Sequence, residues 1–97
     1  MGLFDKWVRA EDDGQAIACV NTWFNGAAIY VNGVEVARSM ETLALDEARP
    51  FVEAVVEGPN GALHIEMHIL SILFTQIELR VNNRHVAGHR LVKEDVG

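Results

Sequence analysis

Three observations predict an all-β fold, an antiparallel β-sandwich of about six to eight strands built from hairpins and preceded by a short N-terminal helix. Asn32-Gly33 stands between two β-favouring arms in IYVNGVEV, the strongest short-range mark of a two-residue hairpin, and in that register Val31 faces Val34. Ile77, Leu79 and Val81 alternate with Gln76, Glu78 and Arg80, the pattern of a half-buried strand that turns at Asn82-Asn83. Gly58, Pro59, Asn60 and Gly61, all turn formers, separate FVEAVVE from ALHIEMHI.

In chain order, MGLFDKWVRAEDDG comes first. Leu3, Phe4, Trp7 and Val8 are spaced along one helical face, so an amphipathic helix is expected within residues 1–13. A helix that short is marginal alone and must dock on the rest of the chain or on a partner. AIACVNT reads as the first strand, and Asn25-Gly26 as the turn into AAIYV. Asp46 is a good N-cap, and Glu47, Ala48 and Arg49 favour a first helical turn, which predicts a helical turn between Leu43 and Arg49 and strands from Phe51 onward. The alternative is an α+β fold with a helix in 40–57 or in 63–81. In the latter, Leu63, Met67, Leu70, Phe74, Ile77 and Val81 keep helical spacing, whereas β-branched Ile65, Ile69, Ile72 and Thr75 oppose it.

The stretch HIEMHILSILF, residues 64–74, changes character along its length. As a strand, it follows Leu63 in pointing Ile65, Met67 and Ile69 one way and His64, Glu66 and His68 the other. Beyond Ile69, Leu70, Ile72 and Phe74 continue on the histidine face, so both faces become apolar. One strand from Leu63 to Val81 would run about 60 Å at roughly 3.3 Å per residue, too long for a domain of this size. A bend is therefore expected between Leu70 and Thr75, made without Gly, Pro or Asn.

Ninety-seven residues, 49% of them apolar, make one domain over 1–97, with the β domain in 15–92. A formal charge of −6 repels phosphate backbones, which disfavours nucleic acid. Cys19 is the only cysteine and no basic-then-apolar leader is present, so the expectation is a reducing, cytoplasmic location. Lys6 stands where acylation at Gly2 would need Ser or Thr, and the charge-free run Met67–Ile77 is far shorter than a bilayer span. No membrane association is expected.

The two-faced run suggests what the chain does. Left exposed, Leu70, Ile72 and Phe74 would form a patch that monomers rarely carry. The expected function is a non-enzymatic protein-interaction module, a homodimer with these residues near the interface centre and Phe4 and Trp7 contributing; another protein is the other expected partner. No cofactor is expected. The alternative is a small-ligand or metal-binding β domain using His64, Glu66 and His68 beside Tyr30 or Trp23, since zinc accepts His and Glu. The order His-x-Glu-x-His is not that of zinc proteases, and i and i+4 on a strand lie about 13 Å apart, so solvent-facing histidines on a polar strand also fit. His85 and His89 repeat the four-residue spacing. Ser39 and Ser71 lack a nucleophile-elbow context, and Cys19 in an apolar strand reads as buried and inert, so no enzyme is expected.

The segments DDGQAIACVNTWFNGAAIYVNGVEVARS, PFVEAVVEG, ALHIEMHI and QIELRVNN resemble in their order the strands of the Fas apoptotic inhibitory molecule family, over roughly residues 12 to 84. That family has an Asp-Gly-led strand, a glycine turn, a Tyr-Val-Asp-Gly hairpin followed by Arg, and a closing Ile-Asn-Gly hairpin. Here Asn83 stands for the closing glycine, and ILSILF carries none. The resemblance implies an antiparallel β-sandwich acting by protein contact without catalysis, and it transfers no site residues.

Overall fold

The computed structural model describes residues 5–22, 25–41, 46–71 and 74–93. Among them are eight strands in two four-stranded antiparallel sheets. The first sheet holds β1 (Lys6–Asp12), β2 (Gln15–Asn21), β3 (Ala27–Val31) and β4 (Val34–Ser39); the second holds β5 (Val52–Gly58), β6 (Gly61–Ser71), β7 (Thr75–Val81) and β8 (Arg84–Gly88). Strand order follows chain order in both, so each sheet is a meander. Val31 pairs with Val34, as the turn chemistry predicts. Asn32 and Gly33 take φ of 51° and 82°, the left-handed pair a type I′ turn requires. At the β7–β8 turn, Asn82 and Asn83 do the same at 50° and 63°.

The second sheet repeats the first position by position. Val8 with Cys19 and Ala10 with Ile17 in β1–β2 have their counterparts in Val52 with Met67 and Ala54 with Ile65 in β5–β6. Ile17 with Val31 corresponds to Ile65 with Val81. Each third strand meets its fourth through a register shift at the same place, between Ile29 and Tyr30 and between Leu79 and Arg80, fifty residues apart. The sequence retains traces of this: WVRA (7–10) matches FVEA (51–54), and VNGVEVA (31–37) matches VNNRHVA (81–87). Both turn asparagines clasp the strand behind them. Asn32 donates its N–H to the Ala16 carbonyl at 2.7 Å and accepts the Ala16 N–H on Oδ1 at 2.9 Å. Asn82 does likewise with His64, at 2.9 Å for both bonds. Docking follows the same exchange, for β1 lies against β8 and β7 while β5 lies against β4 and β3.

One hydrophobic cluster takes residues from both sheets, among them Ile17, Cys19 and Ile29 from the first and Ile65, Met67 and Leu79 from the second. Burial of each large side chain contributes about 1.5–3 kcal/mol. Polar ties also join the sheets: Arg84 Nη2 donates to Asp12 Oδ2 at 3.0 Å, Asn60 Nδ2 donates to Asp13 Oδ1 at 2.6 Å, and Lys6 Nζ donates to the Thr75 carbonyl. Being exposed, each adds little to stability.

Four expectations need correction. The N-terminal helix does not form over the described residues, where Lys6–Asp12 is strand β1. Val8 and Ala10 pack on the cluster, and Asp13 and Gly14, at φ of 53° and 69°, turn the chain back so that β2 supplies the backbone partners a short helix would lack. Leu3 and Phe4 lie outside the described residues. The α+β alternative gives way to strands at 52–58, 61–71 and 75–81. At Asp46 the chain makes a turn instead of a helix: Oδ1 accepts the Ala48 N–H at 3.1 Å and the carbonyl accepts the Arg49 N–H at 3.3 Å, while 42–45 lie outside the described residues. The bend after Leu70 falls where strand length demands it, with β6 ending at Ser71 and β7 starting at Thr75. Finally, β7 is not half-buried: Glu78 and Arg80 on its charged face are 0% and 5% exposed.

Candidate functional site

The second sheet turns a polar face away from the hydrophobic cluster. Alternation places Glu53 of β5, His64, Glu66 and His68 of β6, Glu78 and Arg80 of β7 and His85 of β8 on it. In the first sheet the equivalent register positions hold Arg9, Ala16, Ala18, Val20, Ala28, Tyr30 and Glu35. At the positions of His64, Glu66, His68 and Glu78 the architecture thus forms with alanine or valine in place of ionisable groups.

Glu78 is the hub of the buried half. Its Oε2 accepts from Arg80 Nη1 at 2.9 Å and His85 Nδ1 at 2.8 Å, and its Oε1 accepts the N–H groups of Leu91 and Val92 at 2.8 and 2.9 Å. Four bonds saturate an ionised carboxylate. Burial pushes the Glu78 carboxyl upward, but the bonds from Val92, His85, Leu91 and Arg80 outweigh it and hold the group below the usual carboxylate range. The residues after β8 are thereby tied across the face, which explains how charged side chains on it come to be buried.

At the other half, His64 Nε2 lies 2.9 Å from Glu53 Oε2. Glu66 is the register partner of Glu53, and the donor atoms of Glu53, His64 and Glu66 all lie within 4.8 Å of one another. His68 faces inward. It is 2% exposed, its Nδ1 donates to the Glu47 carbonyl at 2.9 Å, and its Nε2 stands 3.8 Å from Glu66 Oε1 with no hydrogen-bond partner among the described residues. The expectation of solvent-facing histidines therefore fails for His68, because the segment carrying Glu47 lies against it. The donor set suggested by the sequence, His64, Glu66 and His68, is reshaped by Glu53, which only the β5–β6 register brings in. Tyr30 belongs to the first sheet and is not beside these histidines, and Trp23 lies outside the described residues.

Of the expected interface residues, Leu70 is half-buried and Phe74 is 78% exposed at the β6–β7 connection; Ile72 and Phe4 lie outside the described residues. Trp7 is half-buried, its ring 5.6 Å from that of Tyr30 with Arg9 stacked 4.7 Å above it. These three rim a hollow of about 410 Å³ over Ala16 and Ala18. Val34, Val36, Met40 and Val55 are further exposed apolar side chains, which the sequence alone did not single out. Cys19 is buried, and burial pushes its thiol up to about 12 against a weaker downward pull from a backbone hydrogen bond with Val8, so the thiol is inert near neutrality. No helix of the described residues is long and apolar enough to cross a membrane. No family model, curated protein or solved structure matches the chain.

Proposed function

We propose that the chain is a non-enzymatic protein-interaction module that associates with a second copy of itself through the β6–β7 end. The observation that carries this reading is Phe74, 78% exposed where β6 passes into β7, with half-buried Leu70 shortly before it. A phenylalanine buries of the order of 150 Å² or more when covered, a large gain for one contact. Val34, Val36 and Met40 on or just after β4, and Val55 on β5, are further exposed apolar side chains. Two copies each carrying −6 repel, so their association rests on apolar contact and strengthens with salt, whereas a basic partner would bind more weakly as salt rises. Phosphate-bearing surfaces, nucleic acid and membrane alike, are disfavoured partners for the same charge. Face-to-face packing of the sheets as a sandwich belongs to this reading, supported by the cluster that both feed, as does a cytoplasmic location, supported by the unpaired Cys19.

Size-exclusion chromatography with light scattering at micromolar concentration tests it. Wild type runs as a dimer that tightens between low and high salt, and Phe74→Asp runs as a monomer with unchanged circular dichroism. A monomeric wild type, or a dimer indifferent to Phe74→Asp, removes the reading.

A further inference from the structure

On the polar face of the second sheet, the structure assigns a binding site for a divalent transition-metal ion of the zinc class to Glu53, His64 and Glu66. This is independent of self-association and draws on different residues. Glu53 and Glu66 stand directly opposite on antiparallel strands, an arrangement that like charges destabilise unless a cation lies between them. His64 Nε2 already lies 2.9 Å from Glu53 Oε2. One imidazole nitrogen and two carboxylate oxygens are donors that zinc accepts, leaving a fourth position open. Neighbouring donors on a tetrahedral ion sit about 3.3 Å apart, so a set already within 4.8 Å closes by small rotations of two long glutamate side chains. Nitrogen in the set favours a transition ion over calcium or magnesium, which prefer all-oxygen shells.

A second observation points to the same place. A carbonyl only accepts, so the bond from His68 Nδ1 to the Glu47 carbonyl fixes the proton on Nδ1. The His68 Nε2 is buried, has no hydrogen-bond partner among the described residues and stands 3.8 Å from Glu66 Oε1. A histidine tied by one nitrogen to a backbone carbonyl is also the arrangement that orients imidazoles around metal centres.

The repeat argues against a purely structural role for these groups. At the positions of Glu53, His64 and Glu66, the first sheet has Arg9, Ala16 and Ala18, with the same register and the same asparagine clasp. The meander needs no donors there, and one copy has them.

Isothermal titration of zinc chloride into the intact chain, alongside calcium chloride, tests the assignment. The expected result is one-to-one zinc uptake that weakens at least a hundredfold in His64→Gln and in Glu66→Gln and is unchanged in His89→Gln, an exposed residue outside the cluster. Should a variant lose its fold, the ¹⁵N shift of His64 Nε2 in the wild type, moving on zinc addition while that of His89 stays, carries the test. Three results would overturn the assignment: no zinc uptake into the high micromolar range, uptake unaffected by His64→Gln, or calcium bound as tightly as zinc, the mark of diffuse attraction to an acidic chain.

Discussion

Glu78 and Arg80, two residues apart on β7, form an ion pair at 2.9 Å while both side chains are buried on the sheet face turned away from the hydrophobic cluster. Such a pair is costly to assemble but more costly to break, because removing one partner leaves an uncompensated buried charge. Glu78→Ala should destabilise the fold by about 3–5 kcal/mol, read from urea unfolding followed by circular dichroism. Glu78→Gln keeps the shape and some hydrogen bonds, so its loss should be smaller but still well above that of an exposed substitution such as Glu57→Gln. Equal effects of Glu78→Gln and Glu57→Gln would contradict the account.

The same carboxylate sets the acid limit of stability. Its folded-state pKa is lowered from an ordinary value of 4.5, so in the window below that value the unfolded chain binds the extra proton and the folded chain resists it. The contribution is complete above about pH 4.5 and is lost as pH falls through the folded-state pKa. The melting temperature of wild type should therefore drop steeply below that pH, and Glu78→Gln should flatten the drop. Glu35 is also lowered, chiefly by its hydrogen bond from Arg38, but it is exposed and adds little. A Glu78→Gln profile parallel to wild type would show that other groups govern acid unfolding.

Two glycines with nearly the same φ should respond very differently to alanine. Gly33 has φ of 82° with open space where a Cβ would stand, so Gly33→Ala should cost only about 1 kcal/mol of left-handed strain. Gly88 has φ of 84°, and a Cβ there would meet the Ile77 carbonyl oxygen at 2.2 Å, so Gly88→Ala must also displace backbone and should cost at least about twice as much. Gly33→Asn should be milder than Gly33→Ala, since Asn83 holds the equivalent turn position at φ of 63°. Thermal melts of the three variants check the order.

How far the fold could be read from the sequence depended on how local each signal was. Asn32-Gly33, Pro59-Asn60 and Asn82-Asn83 announce their turns because backbone conformation at a tight turn is decided by the residues in it. The bend after Leu70 followed from strand length alone. Lys6–Asp12 was misread because Leu3, Phe4, Trp7 and Val8 also fit helical spacing; the competing alternation, Val8 and Ala10 inward with Trp7 and Arg9 outward, gains force only once β2 is there to pair with. The buried charged face was illegible for a related reason. Nothing local to Glu78 says that Leu91 and Val92 will cross it, or that Glu47 will reach His68. Glu53 entered the donor cluster through register, which propensity does not specify, whereas His64 and Glu66 were visible from their alternation. The match of WVRA with FVEA was available throughout, but two short strings gain meaning only when both are seen to pair the same way.

Sedimentation equilibrium of the wild-type chain at micromolar concentration, at low and at high salt, decides whether two copies associate. A mass twice the 10.7 kDa of one chain, with tighter association at high salt, is expected. A mass of one chain at both ionic strengths would contradict it.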